Sequence, residues 1–139
     1  MITTIHYRIK DSGKSGRTLK KMSSSVNFVW NYCKNPQKDA LKNKTVKKMT
    51  DPVTGKINFA PYFFSKFEMN SLVSGSSKEL GIHSQTIQAI SEEYTTRRKQ
   101  FKNILRWRSH SSLGCIPFKA TAIKIKDNKV FYQINKFDY

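Results

Sequence analysis

The chain has 139 residues, enough for one compact domain or two very small ones. Its apolar fraction of 37% stays below the usual ~45–50% even with the six glycines added, so the core must be modest. Twenty-six Lys/Arg against nine Asp/Glu give a net charge of +17; such an excess opposes compaction by self-repulsion and points to a polyanionic partner, nucleic acid first and an anionic membrane surface second.

The start, "MITTIHYRIK", has no long apolar core after a basic opening, so no signal peptide is read there. Nowhere does the sequence approach the ~20 apolar residues of a membrane-spanning helix. Ile5, Tyr7 and Ile9 alternate with Thr4, His6, Arg8 and Lys10, the pattern of a half-buried strand over residues 1–10. "DSGKSG" then makes a loop. In "RTLKKMSSSVNFVWNYCKN", Leu19, Met22, Val26, Val29 and Cys33 recur at spacings of three and four, one stripe of a helix. Phe28, Trp30 and Tyr32 widen that apolar surface, and Ser23, Ser24 and Ser25 are small enough to permit close approach. Lys20 and Lys21 lie on its flank and are candidates for contacts to a phosphate backbone.

Residues 35–60 are basic, polar and weakly periodic, and read as a mobile insertion holding at most one helical turn near Ala40 and Leu41 and a turn at "DPVTG". A helix is expected from Pro61, burying Phe63, Phe64, Phe67 and Leu72 and stopping at Gly75. "SSKELG" reads as a single turn stopped at Gly81. Ser84 can cap the next helix, whose stripe is Ile87, Ile90, Tyr94, Phe101 and Ile104, with an arginine at position 97. From Ser84 to Leu105 it would be about 33 Å long. Six cations crowd its end: Arg97, Arg98, Lys99, Lys102, Arg106 and Arg108. A helix dipole worth about half a charge needs fewer, so the surplus is read as a nucleic-acid contact. Trp107, set between two arginines, could stack a base or fill the core. In the tail, Ile123 and Ile125, then Val130, Tyr132 and Ile134, alternate on either side of "DNK", a hairpin signature. Strand, helices, strands is an α+β order: a small sheet or barrel with a helical unit inserted after its first strand.

Chemistry is sparse. No P-loop, GxGxxG or nucleophile elbow is present. Adjacent Glu92 and Glu93 would point about 100° apart on a helix and share one metal poorly. Cys33 and Cys115 lack CxxC partners, and His6, His83 and His110 lack ligand spacing, so no metal or cofactor is expected and the thiols read as reduced.

Three blocks, "YRIKDS…RTLKKMSSSVNFVWNYCKN", "VSGSSKELGIHSQTIQAISEEYTTRRKQFKN" and "SLGCIPFKATAIKI", resemble the N-terminal region of the OrfB/TnpB proteins of insertion sequences, RNA-guided endonucleases related to type V CRISPR effectors. The resemblance covers most of the chain outside residues 35–60. It implies a wedge-like β-barrel, residues 1–10 and 113–139, with an inserted helical recognition lobe at 11–112. It also implies guide RNA and double-stranded target DNA as partners. Gln88 aligns with a family glutamine facing the target-adjacent duplex, and Gln85 could share the task, since such amides suit bidentate adenine contacts; solvated amides near a helix start are the alternative. Lys119 falls in the third block and would join the backbone contacts. The family's RuvC-like nuclease domain and zinc ribbon would follow; the chain stops at "NKFDY", so it is expected to be a fragment, a truncated frame or a stand-alone remnant that binds without cutting. Cys115 stands where relatives often carry tryptophan. A cytoplasmic, nucleoid-associated protein without membrane contact is expected. Two other readings stay open: one half of a split nuclease whose RuvC half is separately encoded, and an unrelated basic RNA- or DNA-binding protein.

Overall fold

The computed structural model describes residues 2–10, 12–101, 105–112, 114–132 and 135–138. The fold is α+β; the described residues form four α-helices, a two-stranded sheet and a three-stranded sheet, all pairings antiparallel. Helix α1 spans Gly13–Lys42, and its N-cap Ser12 accepts a hydrogen bond from the Ser15 N–H at 3.1 Å. At 1.5 Å per residue it is about 45 Å long. The expected stripe is its inner face: Met22, Val26, Val29 and Cys33 are buried and Leu19 packs beside them. Trp30 is buried as well, while Phe28 and Tyr32 stack on each other at the surface.

The expected irregular stretch at 35–60 is instead regular structure. Helix α1 runs through Pro36 to Lys42, and Val46–Thr50 (β1) pairs with Ile57–Pro61 (β2). Weak periodicity misled the reading because the hairpin is exposed on both faces and needs no apolar alternation. Its turn uses the expected chemistry: Asp51 Oδ1 accepts from the Val53 N–H at 2.8 Å, and Gly55 takes a positive φ. Buried Gln37 ties helix to hairpin base. Its Nε2 donates to the Tyr62 carbonyl, and its Oε1 accepts from the Phe64 N–H, both at 3.0 Å. Pro61 ends β2 rather than opening a helix; α2 is Lys66–Val73, started by a capping box between Ser65 and Glu68. Its buried side is Met69 and Val73, whereas Phe67 and Leu72 face solvent. The single turn Ser77–Leu80 (α3) stops at left-handed Gly81.

Helix α4, Ser84–Phe101, packs against α1 and α2. Its cap is His83 rather than Ser84: the Gln85 N–H donates to His83 Nδ1 at 3.1 Å. Ile87, Ile90 and Tyr94 are buried, and Tyr94 meets Trp30 edge-on with ring centres 5.2 Å apart. The next turn turns Arg98 inward, whereas Phe101 is exposed; Ile104 lies outside the described residues, and Leu105 is no longer helical. After a 3₁₀ turn at Ala120–Ala122 come β3 (Ile123–Lys126), β4 (Lys129–Tyr132) and β5 (Asn135–Asp138). Asp127 and Asn128 both have φ above +50°, the left-handed pair of a tight two-residue hairpin turn. Ala122, Val130 and Tyr132 join the same core as the helices. Tyr132 Oη accepts from the His83 N–H at 2.9 Å and pairs with Thr86 Oγ1 at 2.5 Å, which fastens the sheet to the start of α4.

Residues 2–10 form no strand, and the described strands close no barrel. Alternation defines two faces but supplies no hydrogen-bonding neighbour; Ile5 and Tyr7 stay exposed, and only Ile9 packs against the core.

Candidate nucleic-acid interface

The basic run from Arg97 to Arg108 is divided between two structures. Its first part stays on α4, and residues 105–112 run back along α1 as a non-helical strap. Polar side chains of α1 hold that strap by its backbone. Trp30 Nε1 donates to the Arg106 carbonyl at 3.1 Å. Asn31 makes a two-way pair with Arg108, donating to its carbonyl and accepting from its N–H, both at 2.8 Å. Asn27 donates to the carbonyls of Ser109 and Ser112, and Ser24 to that of His110. Ser23 Oγ accepts from the Gly114 N–H at 3.0 Å, and Ser25 donates to the Leu80 carbonyl. The serine triplet is thus a row of hydrogen-bonding groups as well as a close-packing surface.

The strap brings Trp107 over the last third of α1. Lys34 Nζ lies 4.1 Å and Lys38 Nζ 5.6 Å from its ring centre, within cation–π range. Lys34 is buried and makes no ion pair with a described acid; its pKa is lowered by desolvation first and by the charge of Lys38 second. Trp107 remains about half exposed, and Arg106 beside it is exposed. Neither Lys34 nor Lys38 is among the contacts expected from the sequence, where the helix stops before Pro36. With the helix continued, the two are four residues apart on one face.

Arg108 sits over the Trp30 ring at 3.9 Å and lies 3.8 Å from Glu93, so it serves the fold more than an open face. Arg98 is 4% exposed and packs over Phe63 at 4.0 Å, which takes it off the exposed basic face expected for it. The stripe needed a residue in that turn, and the long Arg stem supplied it. Arg97 is exposed and bonded to Glu93 at 2.9 Å. Lys99, Lys20 and Lys21 are exposed and pair with no described acid; Lys102 lies outside the described residues. On the other side of α4, Lys119 Nζ reaches Glu92 and Gln88 Oε1, each at 3.4 Å. Gln85 Oε1 accepts from Thr121 Oγ1 at 2.6 Å. Gln88 is thus bonded to Lys119 and Gln85 to Thr121, with both amide oxygens already engaged.

No group of three or more metal-ligating side chains occurs among the described residues, nor any helix long and apolar enough to cross a membrane. Cys33 is buried and its thiol is pushed up to about 12, so it stays protonated near neutrality. No family model, no curated protein and no solved structure matches this chain.

Proposed function

We propose that the chain is a non-catalytic nucleic-acid-binding module, the part of an OrfB/TnpB-like protein that holds guide RNA and the backbone of double-stranded target DNA. The observation that carries the binding reading is the charge balance. Against a net charge of +17, the three ion pairs among the described residues engage only Glu92 and Glu93. The remaining exposed cations repel one another until a polyanion neutralises them, and its condensed counterions are released on binding. The Trp107 strap adds an aromatic surface suited to stacking a base. The finer, guide-RNA reading rests on the three sequence blocks. Such a module works on the nucleoid, in the cytoplasm. It is taken as non-catalytic because Glu92 and Glu93 are committed to Lys119, Arg97 and Arg108 rather than held ready for a metal.

Fluorescence anisotropy with single-stranded RNA and duplex DNA across a salt series tests this. If five to eight phosphates are neutralised, log K against log salt has a slope of roughly −4 to −7. Changing exposed Lys20, Lys21 and Lys38 to alanine flattens it by about one unit per lost contact. Salt-independent affinity overturns the binding reading, and Mg²⁺-dependent cleavage by the purified chain overturns the non-catalytic one.

A further inference from the structure

A cavity of about 620 Å³ opens between the β1–β2 hairpin and the C-terminal end of α4. Its wall is apolar along Met49, Pro61 and Phe63, and cationic at Lys47, Lys99 and Arg98. Arg98 is the unusual member. It is 4% exposed, its Nε is buried without a hydrogen-bond partner, and no described acid pairs with it. A buried donor left unsatisfied is destabilising, more so when charged, so its retention calls for an acceptor. Phe63 covers one face of the guanidinium, and Arg98 also lines the cavity. Neither Lys47 nor Lys99 forms an ion pair with a described acid. Glu68, which feels the field of Lys47, already accepts from the Tyr62 hydroxyl and the Ser65 N–H.

We infer that this cavity takes one nucleotide of a nucleic-acid strand, its phosphate on Arg98, Lys47 and Lys99 and its base against Met49, Pro61 and Phe63. A guanidinium suits phosphate through parallel N–H donors, and the cavity volume falls within the range of small-molecule sites. An apolar wall beside three cations selects an amphipathic anion over a bare one. The inference rests on the nucleic-acid reading and deepens it: it adds a shaped subsite to a binding mode otherwise made of surface charge.

The test is methyl NMR of the methionines in the full chain, titrated separately with inorganic phosphate, AMP and a single-stranded oligonucleotide, with oligonucleotide binding followed in parallel by anisotropy. Met49 lines the cavity and Met22 does not. AMP and the oligonucleotide should shift Met49 and leave Met22 in place, with phosphate weaker than AMP. Arg98→Met keeps the packing on Phe63 and removes the donors; AMP affinity should fall roughly ten- to a hundredfold. Should that variant not fold, Lys47→Ala with Lys99→Ala, both at exposed positions, should weaken AMP in the same direction. An oligonucleotide that binds by anisotropy while Met49 stays silent overturns the subsite and leaves the nucleic-acid reading standing. Phosphate acting as strongly as AMP overturns the nucleotide assignment. An oligonucleotide that does not bind at all overturns both.

Discussion

Glu68 shows how one side chain joins two elements. It closes the capping box of α2 with Ser65 and accepts from the Tyr62 hydroxyl at the foot of the hairpin. The Tyr62 bond, and then the Ser65 backbone N–H, hold its carboxyl down at about 2, against 4.5 when unperturbed. A carboxylate with a lowered folded-state pKa contributes stability above its unfolded pKa and loses it as the pH falls toward the folded value. The native chain should therefore lose melting temperature between pH 4.5 and about 2. Glu68→Gln should be less stable at neutral pH, and the gap should narrow through that same window. Parallel melting curves across the range would show that Glu68 is not the titrating link. The Ser65 and Glu68 pair stands three residues apart in the sequence, a capping-box signature, yet Pro61 offered a competing start. Proline at 61 fits the end of a strand equally well, and only the hairpin partner decided between them.

Helix α1 departs furthest from what its sequence leads one to expect. Asn35-Pro36 looked like a terminus because proline removes a backbone donor and disfavours helix in the residue before it. The helix nevertheless continues to Lys42. Burial of Gln37, with both ends of its amide bonded to the segment after β2, offsets the local cost. Such a bond joins residues distant in sequence, so no local pattern could announce it. If Pro36 is tolerated rather than required, Pro36→Ala should stabilise the chain by roughly 1–2 kcal/mol, the restored helix bond minus the lost rigidity of the unfolded chain. A urea midpoint moving upward at unchanged slope would show it; a downward shift would mean that Pro36 shapes the helix for its partners.

At the scale of the whole molecule, +17 charges on 139 residues oppose a small core. Screening alone should then stabilise the free protein. Raising salt from about 0.01 to 0.15 M shortens the Debye length from ~30 to ~8 Å. The melting temperature should rise by roughly 3–6 °C, about 1 kcal/mol for a chain of this size. A flat or falling salt response would mean that the surface cations are compensated locally. The ion pairs among the described residues argue otherwise, since all three share just two acids.

The amino-acid sequence by itself determined the α+β class, the inner stripe of α1, the tight turn at Asp127 and Asn128, and the stop at Gly81. Each is a short-range property: a period of 3.6, a pair of residues tolerant of positive φ, a glycine. Tertiary structure decided the rest. It drew Arg98 into the interior, replaced Ser84 by His83 as a cap, took Leu105 out of the helix and laid residues 105–112 on Asn27 and Asn31. It also gave residues 2–10 no strand structure. In a run of like charges every arginine reads alike. Which one is buried, paired or left to meet a ligand depends on the aromatic ring or carboxylate that the fold brings beside it, here Phe63 for Arg98, Glu93 for Arg97, and both Trp30 and Glu93 for Arg108.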